Sequence, residues 1–182
     1  MKKIGKFITG VVLGSIIATG ASAAPLFIPK KTRGATIGIQ TKSVSFDNKL
    51  GLKDNTVYGL FYDINFDFGQ PLAWGMKIGF SVDYAKMTDS AGEDFNYYDY
   101  YAVVAPSYAI GAGAGNIKLY AGAKFGYNGF ENSTGYAYGG VAGVEYNYKA
   151  LNLGVNYFTG TTDIEGFDFD ISEIKGYVGY NF

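Results

Sequence analysis

The residues of this chain that could do chemistry are carboxylates and lysines, and they recur at alternate positions along apolar stretches. Lys42, Asp63, Asp67, Lys77, Asp83, Asp99, Lys118, Lys124, Glu145, Lys149, Glu173 and Lys175 form one such set, with six of each sign. Charges turned toward a closed interior must pair or stay hydrated. One reading is an internal salt-bridge network, drawing on Asp63, Lys77, Asp83, Lys118, Lys124 and Glu145. The other is a narrow, gated path for water or ions. A second acidic group, Asp163, Glu165, Asp168 and Asp170, falls near the C-terminus. Clustered carboxylates can hold a divalent cation or bridge through one to phosphates. The spacing is not that of an EF-hand, so a solvated acidic loop is the plainer reading.

What is missing excludes more. The chain has no His and no Cys. The commonest general base and metal ligand are therefore lost, along with disulfides and thiol nucleophiles. No catalytic residue, enzyme activity or cofactor is expected. No basic patch suggests nucleic acid.

These charges need elements that alternate, and eight strands with period-2 patterning are predicted. They run over about 35–46, 56–68, 72–85, 97–110, 117–127, 136–148, 151–159 and 167–182. The third is clearest: Leu72, Trp74, Met76, Ile78, Phe80, Val82 and Tyr84 oppose Gly75, Lys77, Gly79, Ser81 and Asp83. Pro106 removes a ladder donor, so a bulge or local break is expected there. The apolar set of the last strand changes phase between Ile171 and Ile174, which reads as another bulge.

The connections alternate in length. Asp47–Asn55, Lys86–Asn96, Asn128–Gly135 and Gly160–Gly166 are long and polar, whereas Gly69–Pro71, Gly111–Asn116 and Lys149–Ala150 are tight. Such alternation suits an antiparallel up-and-down β-barrel spanning a membrane, apolar outside and polar inside. A water-soluble sandwich would expose these apolar faces and aggregate. Trp74, Tyr84, Tyr98, Tyr180 and Phe182 are expected at the membrane interfaces. Tyr97, Tyr98, Tyr100 and Tyr101 together read as an outer aromatic girdle.

Both ends agree. Lys2, Lys3 and Lys6 precede an apolar run from Phe7 to Ala18, and Ala21-Ser22-Ala23 supplies a cleavage site. Residues 1–23 thus read as a secretory signal peptide, too short in its apolar run to span as a helix. Residues 24–33 read as a periplasmic lead-in and 34–182 as the barrel. Removing three lysines takes the formal charge from −1 to −4, with 12 basic and 16 acidic residues left. At the far end Ile174, Gly176, Val178, Tyr180 and Phe182 alternate with Glu173, Lys175, Tyr177, Gly179 and Asn181.

That ending resembles the closing strand of bacterial outer-membrane β-barrels. With the strand pattern it makes the chain similar to the small barrel superfamily of OmpA-like transmembrane domains and the OmpX, OmpW and opacity types. The resemblance implies an integral protein of a Gram-negative outer membrane, surrounded by outer-membrane lipid and lipopolysaccharide. It also implies that Val178, Tyr180 and Phe182 form an assembly signal, read by the barrel-assembly machinery after escort by periplasmic chaperones. No peptidoglycan-binding domain of the full OmpA type is expected after the barrel. The implied role is structural or surface-interacting, with a ligand the sequence does not name. A narrow porin-like channel is the alternative.

Overall fold

The computed structural model describes residues 32–46, 55–67, 74–88, 92–112, 114–130 and 133–182. The predicted signal peptide and most of the lead-in lie outside them. So does nearly all of the predicted first loop.

The strands are β1 (Thr32–Phe46), β2 (Asn55–Asp67), β3 (Trp74–Thr88), β4 (Asp94–Ala112), β5 (Gly115–Phe130), β6 (Ser133–Tyr148), β7 (Leu151–Ile164) and β8 (Phe167–Asn181). Each pairs antiparallel with the next, and β8 closes on β1. All eight expected strands are present. β1 starts two residues inside the expected lead-in.

Following paired residues from Thr36 through Asp63, Gly79, Val103, Lys124, Gly139, Gly160 and Ile171 returns to β1 at Phe46, ten residues further on. That stagger sets a strand tilt of about 40° and an interior that side chains can fill. Outward residues are apolar. They include Ile37, Leu60, Phe80, Val104, Leu119, Val155 and Ile174, all exposed. Aromatics ring this wall near both ends, with Trp74, Tyr108, Tyr146, Tyr180 and Phe182 below and Tyr58, Tyr84, Tyr98, Tyr127 and Tyr136 above. Strand rise and tilt place the two rings roughly 24 Å apart, the height of a barrel's hydrocarbon band.

Several sequence-based expectations are corrected. The β5–β6 and β7–β8 connections are tight, because those strands run to Phe130, Ser133, Ile164 and Phe167. At the second, Glu165 and Gly166 take φ of 54° and 84°. Two consecutive left-handed residues make a turn whose twist matches the strands, and Gly tolerates it best. Pro106 interrupts pairing with β5, since Val104 pairs with Ala123 and Ser107 with Tyr120 in one unbroken register. The break occurs without an inserted residue. β8 has no bulge between Ile171 and Ile174, for both keep one register with β1 and with β7. Ile171 points in (2% exposed) and Ile174 out (60%). The apolar phase inverts because the upper interior is itself apolar.

Candidate functional site: the barrel interior

Four layers fill the interior. At the loop end lies an apolar cap in which Val44, Phe46, Val57, Met87, Tyr97 and Ile171 are buried, with Phe95 and Phe130 packed against them. Phe46 meets Phe130 at 5.6 Å and Tyr97 at 6.0 Å, edge to face. These residues share the inward phase of Lys42, Asp83, Asp99 and Glu173 on the same strands. Alternation was legible there, but the switch from charged to apolar within one phase was read as a loop or a bulge. Tyr97 and Tyr101 belong inside (0% and 3% exposed), so only Tyr98 and Tyr100 of the expected tyrosine girdle face out.

Beneath the cap is the first ion cluster. Lys42 ion-pairs with Asp99, with Asp83 at 3.0 Å and with Glu173 at 3.4 Å. Glu173 also binds Lys124, whose ammonium sits 3.5 Å over the Tyr101 ring. That ring supplies a neutral counterpart for a desolvated cation. Tyr97 donates to Asp99 at 2.9 Å and accepts from Asn128 at 3.0 Å.

The second cluster is centred on Lys77, which pairs with Glu145 and with Asp63 at 2.7 Å. Glu145 accepts from the Tyr177 hydroxyl at 2.8 Å, and that hydroxyl lies 3.1 Å from Tyr120. Asn156 donates to Tyr120 at 2.9 Å. Both rings flank Lys77, at 4.6 and 5.2 Å. Lys118 reaches Asn65 and Asp67 at 3.3 Å, at the lower mouth. Below, Asn147 accepts from Asn152 at 2.8 Å and from Asn181 at 3.1 Å.

Between the clusters Lys175 donates to Gln40 at 3.0 Å, and Gln40 donates to Asp83. A cavity of about 10 Å³ lies here, lined by Asp63, Lys77, Ser81, Asn156 and Lys175 among others. It has room for about one water.

All six residues of the expected network (Asp63, Lys77, Asp83, Lys118, Lys124, Glu145) are buried inside, in two groups rather than one. Lys149 is not among them. It occupies the β6–β7 turn, exposed, with φ of 51°. The interior therefore holds five lysines (42, 77, 118, 124, 175) against six carboxylates (63, 67, 83, 99, 145, 173). Asp99 Oδ1 and Glu145 Oε2, both buried, have no hydrogen-bond donor, which is consistent with that excess. Asn128, placed in a loop by the sequence pattern, is instead a buried partner of Tyr97 and Tyr101.

The acidic group does not assemble. Asp163 faces Asp168 across the β7–β8 hairpin, Asp170 faces Thr161, and Glu165 sits in the turn, accepting from Ser133 at 2.6 Å. Among the described residues no group of three or more carboxylates is placed to hold a metal. Phe182 closes the seam, exchanging backbone hydrogen bonds with Ala35 at 2.9 and 3.1 Å. Val178 and Tyr180 point outward on the same strand.

The fold defined by this closed wall and packed interior is that of the small eight-stranded outer-membrane β-barrels. Ail, the attachment invasion locus protein of Yersinia pestis, superposes with a TM-score of 0.57 at 17% identity, covering 82% of this chain and 97% of that one. Ail in complex with the heparin analogue sucrose octasulfate gives 0.53 at 18%, covering 84% and 99%. The outer membrane protein OprG from Pseudomonas aeruginosa gives 0.53 at 12%, covering 86% and 99%. No protein-family model and no curated protein sequence matches the chain.

Proposed function

We propose that the protein is an integral barrel of a bacterial outer membrane with a plugged interior, acting as a structural or surface-interaction element. One observation carries this reading. The lumen is filled by the cap, two ion clusters and an asparagine layer, and the cavity between the clusters has room for about one water. A conducting lumen needs a continuous wet path. Interaction with other molecules then falls to the loop end and the outer wall. The loop end carries Glu93, Asp94, Asp163, Glu165, Asp168 and Asp170 against Lys86 among the described residues. Like charge disfavours a polysulfated ligand of the kind seated on Ail.

A narrow channel is the second reading. It is favoured by the polar side chains that run from Asp67 at the lower mouth up to Asn128. Single-channel recording on the refolded, signal-free protein separates the two. A silent protein that nevertheless shows the heat-dependent gel shift of a folded barrel is expected. A reproducible conductance, altered by substituting Lys77 or Glu145, would overturn the plugged barrel.

A further inference from the structure

The surplus negative charge of the interior lies in its upper half. In the lower half Lys77, Lys118 and Lys175 balance Asp63, Asp67 and Glu145, with Lys175 counted beside Asp63, which lines the same cavity. Above them Lys42 and Lys124 meet three carboxylates, Asp83, Asp99 and Glu173. Asp83 on β3 and Asp99 on β4 stand directly opposite each other, and their carboxyl groups lie within hydrogen-bonding reach. Like charges directly opposite on one face destabilise a sheet. Here they are 1% and 0% exposed, so water does not screen them. Asp99 Oδ1 moreover has no donor, because the donors around it are spent elsewhere. Lys42 serves Asp83, Asp99 Oδ2 and Glu173, and Gln40 donates to Asp83. Tyr97 donates to Asp99 Oδ2, Tyr101 to Asn128, and Asn128 to Tyr97. Lys124 serves Glu173, and Lys175 serves Gln40. The walls β2, β6 and β7 add Gly59, Val141 and Phe158 at this height, which carry no titratable group.

We infer that the upper cluster holds one proton at neutral pH, shared between the Asp83 and Asp99 carboxyl groups. Of two adjacent buried carboxylates, one keeps a proton and donates it to the other in a charge-assisted O–H···O⁻ bond. That proton supplies the donor missing at Asp99 Oδ1. It also brings five lysines and six carboxylates to zero net charge, which an interior walled off from water favours. Glu145 Oε2 lacks a donor as well, but its cross-strand neighbours are Lys118 and Gly154. No second carboxylate stands opposite it to share a proton. A metal ion in place of the proton fits less well. Among the described residues no group of ligands is placed to hold one, and the Lys42 ammonium already sits among the three carboxylates.

The test is infrared spectroscopy of the protein folded in a detergent without carbonyl groups. At neutral pH the C=O stretch of a protonated carboxylic acid is expected. It should vanish in both Asp83→Asn and Asp99→Asn, because the amide donates its own N–H and leaves the remaining carboxylate ionised. The amide also keeps the shape of the acid, so both variants should retain the gel shift of the folded barrel. A companion measurement counts the proton. The chain has no His and no Cys, so no other side chain titrates at its ordinary value between about pH 5.5 and 7.5. In that window the folded chain carries one proton more than the unfolded chain, and its stability falls as pH rises. Read by urea unfolding in lipid vesicles, the parent's folding equilibrium should fall about tenfold for each pH unit relative to that of Asp99→Asn. An acid band missing from the parent, a band that survives in either variant, or parallel pH profiles would each overturn the inference.

Discussion

Lys77 is the sharpest point at which to perturb the interior. Its ammonium is buried between Asp63 and Glu145, with the Tyr120 and Tyr177 rings on its flanks. Lys77→Met keeps most of the side-chain volume and removes the charge. Two buried carboxylates then lose their cation, and the interior excess of one negative charge becomes two. Glu145 keeps its hydrogen bond from Tyr177, at 2.8 Å, and Asp63 sits beside the small cavity, where water can enter. Breaking a buried pair from one side costs about 3–5 kcal/mol, and these compensations place the expected loss near the lower end, about 3 kcal/mol. That is roughly a hundredfold in the folding equilibrium, at about 1.4 kcal/mol per decade. Glu145→Gln in the same background should return about 1–2 kcal/mol, because the pair shares one network. Urea unfolding in lipid vesicles, read by the fluorescence of Trp74, the chain's one tryptophan, gives both numbers. A single variant within about 0.5 kcal/mol of the parent, with a strictly additive double, would refute the buried-pair argument.

Two further outcomes follow from the same geometry. Gly154 faces the Tyr177 ring, and a Cβ there would meet its Cε2 at 2.5 Å, so Gly154→Val should destabilise by about 1–3 kcal/mol through overpacking, seen as a lower temperature for the gel-shift transition. The Lys86–Asp94 pair at the loop end spans 2.9 Å with side chains 65% and 50% exposed. The hydrogen bond between them raises the Lys86 pKa and lowers that of Asp94. Any stabilisation is thus present between the ordinary Asp and Lys ranges, lost as pH falls through the Asp94 value or rises through that of Lys86. Exposed pairs contribute little, so Lys86→Met should leave the transition unchanged at neutral pH, and a clear shift would count against that reading.

Strand positions and the inward set of charges were legible because a period of two survives any local sequence. Lys77, Asp63 and Glu145 could be placed inside from alternation alone. Alternation gives the facing of a residue but not its depth, so it could not divide the charges into two clusters, and Lys149 was counted among the inward charges although it opens the tight Lys149–Ala150 connection past the strand end. The cap was missed for a related reason. Val44, Phe46, Met87 and Ile171 are inward and apolar, and an apolar residue in the polar phase reads as a slip of register. Tyr97 and Tyr101 suffered from composition, since four tyrosines within five residues suggest a girdle until each is assigned its side of the sheet. The acidic residues were over-read as a cluster because only Asp163 and Asp168 come directly opposite each other, while Glu165 is carried off in the turn and Asp170 lies two residues further down the hairpin.

The seam between the first and last strands has a consequence for how the molecule forms. Seven of the eight strand pairings join neighbours in sequence, whereas the eighth links Thr36 with Asn181, 145 positions apart. A chain built of hairpins can assemble locally and fast, but this one contact must wait for all the others. Until it forms, two strand edges carry unpaired amides, which hydrocarbon does not tolerate. Closure and entry into the bilayer must therefore be one event, with Phe182 and Ala35 as the last stitch.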